Sequence, residues 1–140
     1  MTISDLAEQT AHITHTYHVT PDVYYSFQRC SNDYNPLHTD AAYAKSKGFD
    51  SPVMYGNILN AFLSHFVGML LPTREVMILS QTILFQSPIF LNDEIMFESS
   101  IEKFSPTVNF IDYKYKFRKN VGGDKKVLIA NGHIQIKLLA

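Results

Sequence analysis

The sequence predicts an α+β fold: a curved antiparallel sheet wrapped around one long central helix, with a short helical insert that carries a polar loop. Three observations carry this reading. The last third of the chain contains stretches in which apolar and polar residues alternate, giving each a dry face and a wet face. Residues 56–71 form one nearly uncharged helical stretch that needs cover on almost every side. Between them and the first strand lies a compact run of polar residues and proline, centred on Asp33–His38.

Each element follows from its residues. His12 to Val19 is rich in Thr, Tyr and Ile and suits a strand. Thr20-Pro21-Asp22 is a helix start, with Thr20 as cap, Pro21 in the first turn and an acid beside it; the helix is expected to run to about Gln28. Thr39 or Asp40 caps a short helix over Ala41 to Ser46, which Gly48 ends. In the long helix, Gly56 to Leu71, residues Ile58, Phe62, Phe66 and Met69 share one side, and Leu59, Leu63 and Leu70 widen it. Asn57, Asn60, Ser64 and Gly68 form a small, polar seam, expected to face the insert loop or a ligand, and Pro72 stops the helix. Val76 to Phe85 is almost continuously apolar, as in a strand buried on both faces or centrally placed. Three alternating strands follow, around Ile95–Ile101, Ile111–Phe117 and Leu128–Leu138, separated by Asn92-Asp93, Ser105-Pro106 and Gly122-Gly123-Asp124.

Composition narrows the function. With 140 residues, 46% of them hydrophobic and 18% charged, one globular domain spanning residues 1–140 is expected. A net charge of −1 argues against a nucleic-acid partner. Cys30 is the lone cysteine, which excludes an internal disulfide and a cysteine-built zinc site. The first ten residues contain Asp5 and Glu8 and no apolar run, so no secretory signal is expected. The stretch Ile58–Leu71 is too short and too interrupted to span a bilayer. The expected setting is cytoplasmic, without a membrane partner. His12, His15 and His18 are read as one solvated strand face and not as a metal site. Lys114, Lys116 and Arg118 are likewise read as a solvated stripe, in preference to a contact for an anionic partner.

The segment Cys30-Ser-Asn-Asp33-Tyr-Asn35-Pro36-Leu-His38-Thr-Asp40 sets a carboxylate, a carboxamide and an imidazole around a stiffening proline. An acid and a base held together in a dry setting suit proton transfer. A second segment, Phe49-Asp-Ser-Pro52-Val-Met-Tyr55-Gly56, runs straight into the long helix. Together the two segments mark a candidate active site.

These residues, in this order, resemble the MaoC-like family of (R)-specific enoyl-CoA hydratases and 3-hydroxyacyl dehydratases, which have the hot-dog fold. Ser31, Asp33, Asn35, Pro36, Leu37, His38 and Asp40 match the family's hydratase motif. Phe49, Pro52, Val53 and Gly56 match its second segment, and Phe85, Pro88, Ile89 and Asp93 echo a later strand turn. The resemblance runs from about Val19 to Leu139. There are departures: Tyr55 stands where the family usually has His, Asn57 replaces an apolar residue, His65 replaces a small residue next to the matching Ser64, and Asn92 replaces a turn glycine.

The resemblance implies a hydro-lyase that adds water to, or removes it from, a 2-enoyl/3-hydroxyacyl thioester on coenzyme A or acyl carrier protein. Asp33 and His38 would do the acid–base work through one bound water. The Gly56 N–H would hold negative charge on the thioester oxygen. Asn35 would orient the loop, and Tyr55, Asn57 and Ser64 would lie at or near the substrate; Tyr55 is as readily a packing residue, and His65 reads as a packed helix residue. No metal or redox cofactor is implied, and a homodimer or a dimer of dimers is. Two rivals stand beside this. One is a non-catalytic acyl-thioester binder or a partner subunit of a heterodimeric dehydratase. The other is a hot-dog thioesterase, which the intact Asp–Asn–Pro–His loop disfavours.

Overall fold

The computed structural model describes residues 1–139. A helix, α1 (Ile3–Gln9), opens the chain where the sequence reading places no element. Its signal is nonetheless local. Thr2 and Asp5 form a reciprocal capping box, and Ile3, Leu6 and Ala7 make one buried stripe. Thr10 closes the helix and pins it to the sheet, its hydroxyl 2.6 Å from the Leu6 carbonyl and 2.7 Å from the Tyr113 hydroxyl.

Strand β1 (His12–His18) follows. Its period of two corrects the histidine reading: His15 shares the inner face with Ile13 and Tyr17, and His12 and His18 point to the opposite face. Helix α2 (Pro21–Ser31) is capped by the Thr20 hydroxyl and extends past Gln28 until Asn32 turns the chain at φ 57°. The insert is α3 (Pro36–Thr39) and α4 (Ala41–Ser46), with Asp40 capping the latter and Gly48 at φ 92° after it.

The central helix is α5 (Ile58–His65), continued by a π-helical turn over Phe66–Leu70. The wider turn shifts the phase of the residues after His65. Val67 and Leu71 therefore turn inward, 4% and 1% exposed, whereas Met69, expected on the apolar side, is 58% exposed. The rest of that side behaves as read: Ile58, Leu59, Leu63 and Phe66 are all buried.

Strands β2 (Val76–Gln81), β3 (Leu84–Phe85), β4 (Glu94–Ser105), β5 (Phe110–Gly122) and β6 (Lys125–Leu138) complete one antiparallel sheet in the order β1-β4-β5-β6-β2, with β3 also on β6. On the inner faces of β4, β5 and β6, Phe97, Ile111, Tyr113, Phe117, Ile134 and Ile136 are all buried in one core with Ile58, Leu59 and Leu63 of α5. Asp112, expected on the wet face, is buried as well, and His133 Nδ1 at 3.2 Å compensates its carboxylate. On the outer face the basic stripe meets acids of β4: Arg118 pairs with Glu98 at 3.1 Å and Lys114 with Glu102 at 3.7 Å. At the β3–β4 turn Asn92 adopts φ 69°, the left-handed conformation that asparagine tolerates better than most residues, which explains how it replaces a turn glycine.

Val76–Phe85 departs most from expectation. It is neither central nor buried on both faces. It forms the sheet edge, breaks at Thr82–Ile83, and leaves Met77, Ile78, Leu79, Leu84 and Phe85 exposed. At the break the chain relies on a glycine. The Thr82 carbonyl passes directly over Gly132 and accepts a hydrogen bond from the Tyr115 hydroxyl across it. A Cβ on Gly132 would lie 2.0 Å from that carbonyl oxygen. Gly132→Ala should therefore push the Thr82 backbone away and cost about 1–3 kcal/mol, read as a lower urea midpoint at unchanged slope.

Candidate active site

The loop between α2 and α3 is a chain of local caps. The Ser31 hydroxyl accepts from Asp33 N–H at 3.2 Å, Asp33 Oδ1 from Asn35 N–H at 2.9 Å, and Asn35 Oδ1 from Leu37 N–H at 2.9 Å. Pro36, at the first position of α3, supplies the φ that such a start needs. His38 N–H then bonds to the Asn35 carbonyl at 2.9 Å. Asn35 thus caps the start of α3 with its side chain and accepts from His38 N–H with its carbonyl.

A second stretch docks this loop. Val53 N–H bonds to the Leu37 carbonyl at 3.0 Å, and Met54 N–H to the Ile89 carbonyl at 2.9 Å. The Val53 carbonyl lies 2.7 Å from His38 Nδ1. A carbonyl only accepts, so Nδ1 carries the proton. In the neutral ring Nε2 is then the basic nitrogen, and it has no protein partner among the described residues.

His38 and Gly56 line one crevice of about 310 Å³, with Val53, Met54, Leu59 and Phe85 as its apolar walls. Gly56 sits on the turn that leads into α5, and its N–H has no partner among the described residues. The Phe85 ring covers it so closely that a Cβ there would stand 3.1 Å from the ring. Unpaired amides at a helix start favour a developing negative charge.

The other expected residues lie elsewhere. Asp33 does not line the crevice; it is partly buried beside it, with Oδ1 occupied by the Asn35 amide. Tyr55 is 2% exposed, its ring 4.3 Å from the His38 imidazole and its hydroxyl donating to the Asp33 carbonyl, so it packs behind the loop and does not line the crevice. Asn57 and Ser64 are exposed on the outer stripe of α5, and Asn57 Oδ1 accepts from Asn60 Nδ2 at 2.7 Å. The polar seam faces neither the insert loop nor the crevice, because Asn60 in turn accepts from Gln81 Nε2 on β2 at 2.6 Å. The sequence reading missed Leu59 and Gln86 as crevice walls; only their tertiary neighbours mark them. Among the described residues no cluster of three or more His, Cys, Asp or Glu side chains is placed to hold a metal ion.

His65 is packed, as expected. Burial, reinforced by the His15 ring 5.3 Å away, holds its imidazole below its ordinary value. Burial pushes the Tyr17 phenol up, so Tyr17 stays protonated and donates to His65 Nδ1 at 2.9 Å. Because the folded value lies below the unfolded 6.5, this contribution is present above that pH and is lost as pH falls through the folded value. His65→Gln, which keeps an acceptor for Tyr17, should flatten the decline in Tm between about pH 7 and pH 5.

Comparison with known proteins places the chain in a family. The MaoC like domain matches residues 4–121, and the chain belongs to that family. Among curated relatives, the (R)-specific enoyl-CoA hydratase of Aeromonas caviae is 34% identical over 76 residues, which cover 54% of this chain and 57% of that enzyme. The mitochondrial 3-hydroxyacyl-[acyl-carrier-protein] dehydratase of Arabidopsis thaliana is 28% identical over 71 residues, 51% of this chain and 42% of that protein. The chain thus spans about half the length of the curated relatives it matches. Among solved structures, the (R)-hydratase of A. caviae involved in PHA biosynthesis superimposes with a TM-score of 0.80 at 24% identity, covering 91% of this chain and 93% of that one. An unliganded R-hydratase of Pseudomonas aeruginosa gives 0.78 at 24% identity, covering 91% and 79%. The fold is the hot-dog fold expected from the sequence.

Proposed function

We propose that this protein is a hydro-lyase that reversibly hydrates a 2-enoyl thioester to the 3-hydroxyacyl thioester, with the acyl group on coenzyme A or acyl carrier protein. The observation that carries the reading is the shared crevice: a histidine whose Nδ1 proton is committed to Val53 faces the same apolar space as the unpartnered Gly56 amide. Family membership and the names of the hydratase and dehydratase relatives support it.

In hydration, His38 and Asp33 hold one water between them. A proton passes from that water to the basic member of the pair as its oxygen bonds to C3. The electron pair of the double bond moves through C2 onto the thioester oxygen, to which the Gly56 N–H donates a hydrogen bond. The acidic member then protonates C2, and dehydration reverses each step. Asp33 Oδ2 has no protein partner among the described residues, so that oxygen is open to water. The apolar walls strengthen the electrostatic contacts made there by His38 and Gly56. The chemistry requires no metal or redox cofactor. The rival reading, a non-catalytic acyl-thioester binder or partner subunit, draws on the position of Asp33 outside the crevice wall. Turnover of crotonyl-CoA or a longer 2-enoyl-CoA, followed by loss of enoyl absorbance and repeated with acyl-carrier substrates, decides between them. Asp33→Asn and His38→Ala should each lower the rate by about 10²–10⁴-fold. Binding without turnover would favour the rival, and release of free thiol would favour a thioesterase.

The assembly we propose is a homodimer or a dimer of dimers, in a cytoplasmic setting without membrane or nucleic-acid partners; no helix among the described residues is long and apolar enough to cross a membrane. The edge strand β2 leaves Met77, Ile78 and Leu79 at 48%, 39% and 48% exposure. The Asn60–Gln81 bond makes it continuous with the exposed seam of α5. An open apolar edge of this kind is stabilised by pairing with another strand. Sedimentation equilibrium should give a multiple of the 16.0 kDa chain, and Leu79→Lys should shift it toward the monomer.

A further inference from the structure

Behind the loop lies a polar cluster that the proposed chemistry does not use. Tyr24 and Gln28 stand one turn apart on α2. Gln28 Nε2 is 3.3 Å from the Tyr24 hydroxyl and 3.2 Å from the Tyr55 hydroxyl, so one carboxamide donates to both phenols. Each phenol passes its own proton to a loop carbonyl. Tyr55 donates to Asp33 at 2.5 Å, and Tyr24 to His38 at 2.8 Å. The two carbonyls belong to the two residues assigned the acid–base work. Burial, with the neighbouring Tyr55 phenol, pushes the Tyr24 phenol up, which keeps it a donor at neutral pH. The rings are in contact as well: Tyr55 lies 5.6 Å from Tyr24 and 5.0 Å from Phe27. The donor–acceptor chain is closed, and its two phenols are 9% and 2% exposed.

The distribution of hydrogen bonds around the loop shows what this cluster does. The bonds of Ser31, Asp33 and Asn35 to one another's amides are local and set the shape of the loop. They do not set where the loop sits on the rest of the fold. The His38 end has three long-range anchors, the Tyr24 hydroxyl on its carbonyl, the Val53 carbonyl on its ring, and the Val53 N–H on the Leu37 carbonyl beside it. The Asp33 end has one, the Tyr55 hydroxyl.

We propose that Gln28, Tyr24 and Tyr55 form a positioning clamp that fixes the Asp33 end of the loop relative to His38, with Tyr55 acting on the loop backbone and not on substrate. As a statement about catalysis, this rests on the hydro-lyase reading of the same loop. Partial loosening of the Asp33 end misplaces its carboxylate without altering the crevice walls that bind the acyl group, so the clamp should be felt in kcat and not in KM.

The test combines solvent-exchange NMR with kinetics on the full chain. Tyr55→Phe keeps the ring against His38 and deletes only the hydroxyl. It should speed amide exchange at Asn35 and Leu37 by about tenfold or more, leave Tyr113 and Ile134 unchanged, and lower kcat by about tenfold with KM within about twofold. Gln28→Leu, a partly exposed position that leaves both phenols in place, should give the same pattern at smaller size. Unchanged loop exchange in both variants would overturn the clamp. So would acceleration spread equally over the loop and the sheet, or a rise in KM that accounts for the whole loss. Selective loop exchange in a protein that turns over no enoyl thioester would uphold the clamp and overturn the hydro-lyase reading.

Discussion

The structure depends on the burial of one apolar helix against one curved sheet. Ile58, Leu59, Leu63 and Phe66 are each 0–1% exposed, and Phe66 packs its ring 4.9 Å from Phe97 and 5.3 Å from Tyr113. Each such side chain contributes about 1.5–3 kcal/mol on leaving water. The helix cannot turn about its axis without exposing several of them. Its start is therefore fixed in space, and with it the Gly56 amide. The insert, the Val53 stretch and the β3–β4 turn can then be tied to that fixed point by single hydrogen bonds.

This arrangement divides labour between packing and polarity. The sheet and helix supply rigidity through aromatic contacts such as Tyr17 on Phe62 at 4.5 Å. The loop that holds Asp33 and His38 has little packing of its own. It is shaped by successive side-chain caps and located by carbonyl bonds to Tyr24, Tyr55 and His38 Nδ1. A loop built in this way leaves one polar atom of each side chain, Asp33 Oδ2 and His38 Nε2, without a protein partner among the described residues, while Asp33 Oδ1 and His38 Nδ1 do the holding. The same economy leaves one side of the fold incomplete. The apolar edge strand and the seam of small residues on α5 form a continuous exposed surface.

Legibility in the sequence followed the range of the interactions. The helix starts at Thr20-Pro21 and Asp40, the left-handed turns at Asn92 and Gly123, and the alternation of β4 to β6 are local signals, and they hold. The α1 capping box was equally local, yet its seven residues are too short a stripe to stand out without the sheet beneath them. Misreadings came from interactions that cross the fold. Val76–Phe85 reads as a central strand because apolar content does not report where in the sheet a strand lies, and this one forms the edge. Asp112 reads as wet because alternation knows nothing of His133 on the next strand. Met69 reads as inward because a regular helical period does not foresee the π turn.

For the site, the sequence by itself proposed a chemical set: Asp33, Asn35 and His38 are grouped by short spacings around a proline, and Gly56 is marked separately by a helix start; those constraints each act within a few residues. Tertiary structure alone decided which of them share a crevice, which nitrogen of His38 keeps its proton, and that Tyr55 reaches the Asp33 backbone. Those outcomes depend on partners such as Gln28, Val53 and Phe85, up to 47 positions from His38 along the chain but adjacent in the fold. Spacing along a chain carries no record of such meetings, because they arise only when the buried helix and the sheet bring distant segments to the same place.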